Sequence, residues 1–266
     1  MNSLIILPAE CVDQERVLLL DKRAEYGYET HGLRAGQTVK SAVLGSHRCR
    51  AFVVSASKQK VEILLRDLET EDHVELTAHN QGAEVHLIVG LSRPQTVKKV
   101  LQAAAILGAK SLHFVKSERG EKSYLQSTAL DDAQIQFEIV KGLEQVWDPI
   151  PPRVSVHRDF SYFEREHLRA IAPLSAIKLL AHPGGDELSA IQHNFEKAQF
   201  AGVPLVEGDE EKRPVVVAVG PEKGWSNREV ETLKKMEFHM IGLGPRVMRV
   251  ELALVFLFGQ LHALKV

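Results

Sequence analysis

Cys11 and Cys49 are the only cysteines in 266 residues. Two thiols cannot make a disulfide framework or a cysteine-built zinc site, and they fit a reducing compartment. Aromatic residues are scarce at 6%, while 44% hydrophobic and 26% charged residues are ordinary for a globular chain. Neither sign of charge is in excess: the net charge is −2, so no overall field draws the chain to nucleic acid and any such binding needs a local basic patch. Long apolar runs are missing too. The most apolar stretch, Leu252 to Phe258, falls far short of the ~20 residues that span a bilayer. The N-terminus, MNSLIILPAE, lacks the apolar core and small-residue cleavage site of a signal peptide. A soluble cytoplasmic protein is the expectation. There is no internal repeat and no low-complexity tract. His73, His79, His86, His113 and His193 show no ligand spacing, so no metal site is expected.

What is present falls into two halves, and the length suffices for one large or two modest domains. Up to about residue 80, QTVKSAVLG (37–45), CRAFVVSAS (49–57) and KVEILLRDL (60–68) read as short strands separated by turns at Gly36, Gly45-Ser46 and Ser57-Lys58-Gln59. That pattern predicts a small β-barrel or sandwich, with ERVLLLDKRAEY (15–26) as a helix. ETEDHVELTAHNQG (69–82) is a polar crossing. Beyond it strands and helices alternate: EVHLIVGL (84–91), a helix over 93–108, SLHFV (111–115), a helix over 128–145, a strand at 153–157, IKLLAHP (177–183) and PVVVAVG (214–220). Such alternation predicts a mostly parallel sheet covered by helices on both faces. The helix over 93–108 puts Val97, Val100, Leu101, Ala104, Ala105 and Leu107 on one face, with Gly108 at its C-cap. EGDEEKR (207–213) reads as a solvated loop.

Three strand ends carry turns that could hold a ligand, because ligands of parallel sheets bind beyond the strands' carboxyl ends. The first is LLAHPGGDE (179–187). In the second, VVVAVGPEKGWSNREVE (215–231), Gly220 and Gly224 allow close approach of backbone, and Ser226 with Glu229 fits a capping box. A well-made strand-to-helix connection would look the same. The phosphate-loop pattern fails here because no Lys-Ser/Thr follows the second glycine, and GxGxxG is absent, so a nicotinamide or ATP enzyme is disfavoured. The third is IGLGPRVMRVELALVFLFGQLHAL (241–264), a glycine turn, a basic stretch, and a helix apolar almost all round from Leu252 to Leu264. Such a helix is buried against its own domain or against a second subunit. Between 91 and 123, Arg93, Lys98, Lys99, Lys110, Lys116, Arg119 and Lys122 face only Glu118 and Glu121. The seven cations less two acids leave +5, either a phosphate-binding patch or a solvated surface.

GPEKGWSNRE followed by LGPRVMRVELA resembles the RsmE-type 16S ribosomal RNA uridine-N3 methyltransferases of the SPOUT superfamily. That family reads GPEGG, then S-x-x-E, then LGPR-[VI]-LR-T-E-T-A. KSLHFVKSERGEKS and GLEQVWDPIPPRV sit where the family has its S-E-R and E-Q segments, and AGQTVKSAVLGSHRCRAFVVSASKQKVEI is similar to its N-terminal barrel. The resemblance implies a PUA-like β-barrel with an RNA-binding role over 1–75 and a SPOUT α/β trefoil-knot methyltransferase domain over 82–266. It implies S-adenosylmethionine as cofactor, held mainly by backbone of Leu180, His182, Pro183, Gly220, Pro221, Glu222, Gly224, Leu243, Gly244, Arg246, Val247 and Met248. Arg249 and Glu251 become the catalytic candidates, with a structural ion pair as the alternative for both. Arg93, Lys98, Lys116 and Arg119 become RNA contacts. Small-subunit rRNA is the implied substrate and a homodimer through the terminal helix the implied assembly. Trp225 could cover the cofactor or pack against its own helix. Val250 and Leu252 stand where the family has threonines, Lys223 where it has glycine and Asp148 where it has arginine. These replacements leave open a second reading, a weakened or retargeted paralogue that binds RNA.

Overall fold

A computed structural model of the chain describes residues 3–66, 84–187 and 213–263. The crossing at 69–82, the acidic run up to 212, and His73, His79 and His193 lie outside the described residues. The chain divides into two compact units, Met1–Gln81 with Ile139–Pro151, and Gly82–Glu138 with Pro152–Val266.

In the first unit β1 (Leu4–Ile6), β2 (Arg16–Leu20), β3 (Thr38–Val43), β4 (Arg48–Ala56) and β5 (Lys60–Arg66) form one curled mixed sheet in the order β1-β3-β4-β5-β2. β1 pairs with β3 in parallel and the other pairs are antiparallel. Alternation fixes the inner face: Leu4, Ile6, Val17, Leu19, Ala51, Val53, Val61 and Ile63 share one core with Ala24 and Leu33. The helix expected over 15–26 is instead β2 followed by α1 (Asp21–Glu29). Val17 and Leu19 are buried while Arg16 and Leu20 are exposed, a period of two that pairs with β5. Asp21, at φ 48, then turns the chain sharply, so no single helix can cross this point. Residues 139–151 complete this unit through Glu144, whose carboxylate accepts from the Tyr26 hydroxyl (3.0 Å) and pairs with His31 Nε2 (3.1 Å).

The second unit contains β6 (Val85–Gly90), α2 (Pro94–Ile106), β7 (Ser111–Val115), α3 (Asp132–Val146, of which the part from Ile139 belongs to the first unit), β8 (Arg153–His157), α4 (Phe160–Glu166), α5 (Leu168–Ile171), β9 (Ile177–Asp186), β10 (Val215–Val219), α6 (Asn227–Lys235), β11 (His239–Ile241) and α7 (Val250–Ala263). Its sheet runs β11-β9-β10-β6-β7-β8 with every pairing parallel. Central strands of such a sheet are covered on both sides and read as unbroken apolar runs, and all of Val215–Val219 is buried. On one face Ile88, Val115, Val216 and Ala218 pack with Phe160, Phe163, Leu168, Val230 and Leu233 from α4, α5 and α6. α7 packs against α2 and β10 through Val250, Ala253, Leu254, Leu257 and Leu261. α2 buries five of its six expected apolar residues. Leu107 is only half-buried as the C-cap, and Gly108 follows it at φ 71. No helix among the described residues is long and apolar enough to cross a membrane.

Candidate active site

Because all six strands run the same way, their carboxyl ends share one edge, and the three glycine turns emerge there. Two of the turns cross almost in backbone contact. The Gly242 amide donates to the Asp186 carbonyl at 2.8 Å, and a Cβ on Gly185 would stand 2.5 Å from the Ile241 carbonyl carbon. Backbone cannot yield there as a side-chain tip would, so only glycine fits. Pro221 lies equally close to Gly90 at the end of β6. Each turn also contributes one left-handed glycine with nothing within 4 Å of where a Cβ would sit: Gly184 (φ 81), Gly224 (φ 68) and Gly244 (φ 92). The edge therefore offers open backbone, as a ligand held by amides and carbonyls requires.

The charged residues of the central turn are occupied by the fold. Glu222 Oε1 accepts from the Thr96 hydroxyl (2.9 Å) and the Arg93 amide (3.2 Å), capping α2. Burial pushes this carboxyl up, but hydrogen bonds from its own amide, Arg93, Thr96 and Ser92 outweigh it and hold the group below the usual carboxylate range. Lys223 Nζ turns to Glu121 at 3.1 Å, and its carbonyl accepts from Arg119. Glu229, fully buried, completes the expected capping box with Ser226 and additionally accepts from the Ser117 hydroxyl and the Glu118 amide, both at 2.8 Å. Glu118 in turn receives Ser226 Oγ and Arg228. The sequence motif showed the box but not that its carboxylate fastens residues 117–118.

The other candidates are placed unequally. The Leu180 side chain is inside the core, which leaves only its backbone for a ligand. His182 is half-buried, with Nδ1 donating to the Pro183 carbonyl at 2.8 Å, and Pro183 is exposed. Leu243 and Met248 are half-buried; Gly244, Arg246, Val247 and Arg249 are exposed, Val247 by 90%. Glu251, in the first turn of α7, pairs with Lys99 of α2 at 3.4 Å. Val250 is buried and Leu252 exposed, so the two positions of the absent threonines point apart. Trp225 is buried beside Phe160, with ring centroids 5.7 Å apart, and serves the core. The +5 patch is not one surface. Lys110 sits at the opposite, amino edge of β7, paired with Glu84 at 2.7 Å, and Lys99 is engaged by Glu251. Arg93, Lys116 and Arg119 do lie at the carboxyl edge, and Lys98 is half-buried on α2. A cavity of 370 Å³ lined by Leu125, Ser127, Asp131, Val156 and Arg158 includes no residue of the three turns. No group of metal-ligating side chains occurs among the described residues.

The family model for an RNA methyltransferase domain matches residues 79–262. The ribosomal RNA small subunit methyltransferase E of Treponema pallidum is 25% identical over 221 residues, 83% of this chain and 75% of that protein. Among solved structures, a Legionella pneumophila protein in complex with bound SAM superposes with a TM-score of 0.72 at 20% identity, covering 99% of this chain and 98% of that one. A ribosomal RNA small subunit methyltransferase E from Neisseria gonorrhoeae bound to S-adenosylmethionine gives 0.69 at 18% identity, covering 98% of each chain. At these identities the near-complete superpositions show a shared fold.

Proposed function

The chain belongs to the RNA methyltransferase domain family, and from that premise we propose that it methylates N3 of a uridine in small-subunit (16S) ribosomal RNA with S-adenosylmethionine. The carrying observation is the trio Gly184, Gly224 and Gly244, one open left-handed glycine in each turn at the carboxyl edge. A cofactor bound by backbone shape needs such an edge, and it tolerates Lys223, whose ammonium is turned to Glu121. The names of the Treponema and Neisseria relatives support ribosomal RNA of the small subunit as substrate.

When bound, S-adenosylmethionine supplies an electrophilic methyl group. The chain's residues must hold the acceptor base in line with it and take up the charge left when N3 loses its proton. Arg249, exposed at the start of α7, stabilises the uracil anion or an adjoining phosphate. Glu251, its side chain largely buried and held by Lys99, orients that region or receives the proton. Leu180, His182, Pro183, Gly220, Pro221, Leu243, Arg246, Val247 and Met248 supply backbone around the cofactor, while Glu222 keeps the central turn against α2. Arg93, Lys116 and Arg119 at the same edge, with Lys98 on α2, meet RNA phosphates.

The working form is a homodimer through α7. Leu252 (55% exposed), Val255 (52%) and Phe256 (39%) form an apolar stripe with Gly259 on the side away from the core. A helix apolar all round does not leave such a face to water in its working state. The PUA-like unit over 1–75 contributes RNA binding, and the site of action is the cytoplasm.

Calorimetric titration of S-adenosylmethionine tests cofactor binding, with Gly224→Trp as a control that loses it. Labelled methyl transfer to small ribosomal subunits from cells lacking the protein, followed by nucleoside digestion, is expected to yield 3-methyluridine. A labelled nucleoside other than 3-methyluridine refutes the N3 assignment, and no transfer at all refutes the activity.

A further inference from the structure

The cavity at the end of β8 lies apart from the three glycine turns, and all its walls belong to the second unit. Two short 3-10 turns, Lys122–Gln126 and Thr128–Leu130, follow one another and run into α3. The Ser127 hydroxyl accepts from the Ala129 amide at 3.1 Å. The Leu130 amide donates to the Ser127 carbonyl at 3.0 Å, and the Ile135 amide to the Asp131 carbonyl at 2.9 Å. Ala129 is buried and α2 packs against this turn, so backbone bonds and packing fix the rim. Opposite the rim stands the end of β8, the edge strand of the sheet. Leu125, Leu130 and Val156, each half-buried, line the 370 Å³ with Ser127, Asp131 and Arg158. That volume is within the range of small-ligand sites.

Strand register ties this cavity to the edge that carries the glycine turns. Val219, the residue before Gly220, pairs with Val89, Val89 with Phe114, and Phe114 with Val156. Val156 therefore stands in one row with the start of the central turn, three strand spacings or about 14 Å away. Val115 pairs with His157, and the Lys116 amide donates to the His157 carbonyl at 2.9 Å, so Lys116 and Arg158 leave adjacent strands side by side. Asp131 and Arg158 are exposed and line the same cavity, yet among the described residues neither side chain makes an ion pair or a hydrogen bond. The Ser127 hydroxyl is used only as an acceptor and keeps its hydrogen to donate. One acid and one base leave the cavity without net charge, which does not suit a phosphate. Apolar walls with an unpaired acceptor and unpaired donors suit a flat neutral ligand that has both kinds of group, and a nucleobase has them.

We propose that this cavity binds an unpaired base of the RNA a few nucleotides from the methylated uridine, and that this base carries an exocyclic amino group. The inference rests on the RNA reading above and adds to it a second point of recognition. Asp131 accepts from the amino group, Arg158 donates to an acceptor on the same base, and Leu125, Leu130 and Val156 hold its faces. Lys116, next to Arg158, meets an adjoining phosphate. Uracil does not fit. It has no amino group, and its single N–H lies between two carbonyl oxygens that a carboxylate repels. The cavity is therefore not the seat of the methylated uridine but reads the sequence beside it. Its place in the row of Lys116 and the glycine turns favours RNA over a free small molecule of the same chemistry.

The test is the binding of two short labelled oligouridines to the full-length protein at low salt, one of them with a single cytidine at its centre. The cytidine-bearing strand is expected to bind about tenfold tighter. Asp131→Asn abolishes that gain, and so does Arg158→Gln. Asp132→Asn, which removes an exposed charge one position away and outside the cavity, keeps it. Affinity for S-adenosylmethionine stays unchanged in all three variants, which shows that the carboxyl edge remains folded. Equal binding of the two strands by the unmodified protein, a gain that survives Asp131→Asn, or its loss in Asp132→Asn overturns the proposal. Free cytidine binding as tightly as the cytidine-bearing strand assigns the cavity to a small molecule and overturns it as well. In each of these outcomes methyl transfer to small ribosomal subunits still upholds the methyltransferase reading. Absence of both RNA binding and methyl transfer in the unmodified protein overturns both.

Discussion

Acid should loosen the second unit through two histidines, and the size of the effect can be worked out. His86 Nδ1 meets Ser111 Oγ at 2.8 Å, Ser111 Oγ meets His113 Nε2 at 2.9 Å, and His113 Nδ1 meets His157 Nε2 at 3.3 Å, a diagonal across β6, β7 and β8. Burial, then the neighbouring imidazoles, lowers His113 to about 4, and burial with His167 lowers His157 to about 4. An unfolded histidine titrates near 6.5. The folded values lie below the unfolded one, so the unfolded chain takes up protons that the native chain refuses. The contribution is complete above about pH 6.5 and is lost progressively as pH falls towards 4. At pH 5 the loss is about 2 kcal/mol per histidine before allowance for solvent. Both rings keep some contact with water and their titrations are coupled, so about 2 kcal/mol for the pair is the expected size. Urea unfolding at pH 7.5 and 5.0, followed by Trp225 fluorescence in a Trp147→Phe background, measures it. The parent should lose about 2 kcal/mol more than a His113→Gln/His157→Gln variant over this interval. Equal losses in the two proteins would refute the reasoning.

Three further outcomes follow from the carboxyl edge and the terminal helix. Gly185→Ala drives a Cβ to within 2.5 Å of the Ile241 backbone; it should cost about 2–4 kcal/mol and abolish cofactor binding, read by thermal unfolding and calorimetry. Glu251→Gln breaks the pair with Lys99, whose side chain is 54% exposed, so stability should move by no more than about 1 kcal/mol. Methyl transfer by the same variant should fall at least about tenfold, and an unchanged rate would leave Glu251 a structural ion pair. Phe256→Asp puts a charge on the exposed stripe of α7 and should shift the protein from dimer to monomer in sedimentation. Unchanged sedimentation would remove α7 from the interface.

The parallel sheet was legible because unbroken apolar strands alternate with amphipathic helices, and the capping box because Ser226 and Glu229 are three residues apart. The misreading over 15–26 has a local cause. Val17-Leu18-Leu19-Leu20 is apolar at every position and fits a helical or a strand period equally, and only pairing with β5 decides between them. The basic stretch over 91–123 does not form one surface, for a different reason. Lys110 and Lys116 are close in sequence, yet β7 runs between them and carries them to opposite edges of the sheet, about 17–20 Å apart. The docking of Trp147 on β3 was hidden because it joins residues far apart in sequence, as the Trp147 indole to Ser41 bond shows with its separation of 106.

The placement of Glu222 and Glu229 explains how the central turn can keep its shape while its residues vary. A carboxylate in a candidate ligand turn invites assignment to the ligand, yet Glu229 is buried and Glu222, though exposed, is bonded to the start of α2. Glu222 joins the turn to the start of α2, and Glu229 joins the start of α6 to residues 117–118. A buried carboxylate left without its donors is costly, so Glu229 fastens the start of α6 firmly to residues 117–118. What remains open towards a ligand is then backbone at Gly184, Gly224 and Gly244, whose geometry does not depend on whether position 223 is glycine or lysine. In the proposed reading, side-chain chemistry falls to Arg249 and Glu251, outside those links. On that proposal, shape for the cofactor and chemistry for the RNA base reside in different residues. Replacements such as Val250 and Leu252 would then be expected to alter the second without dismantling the first.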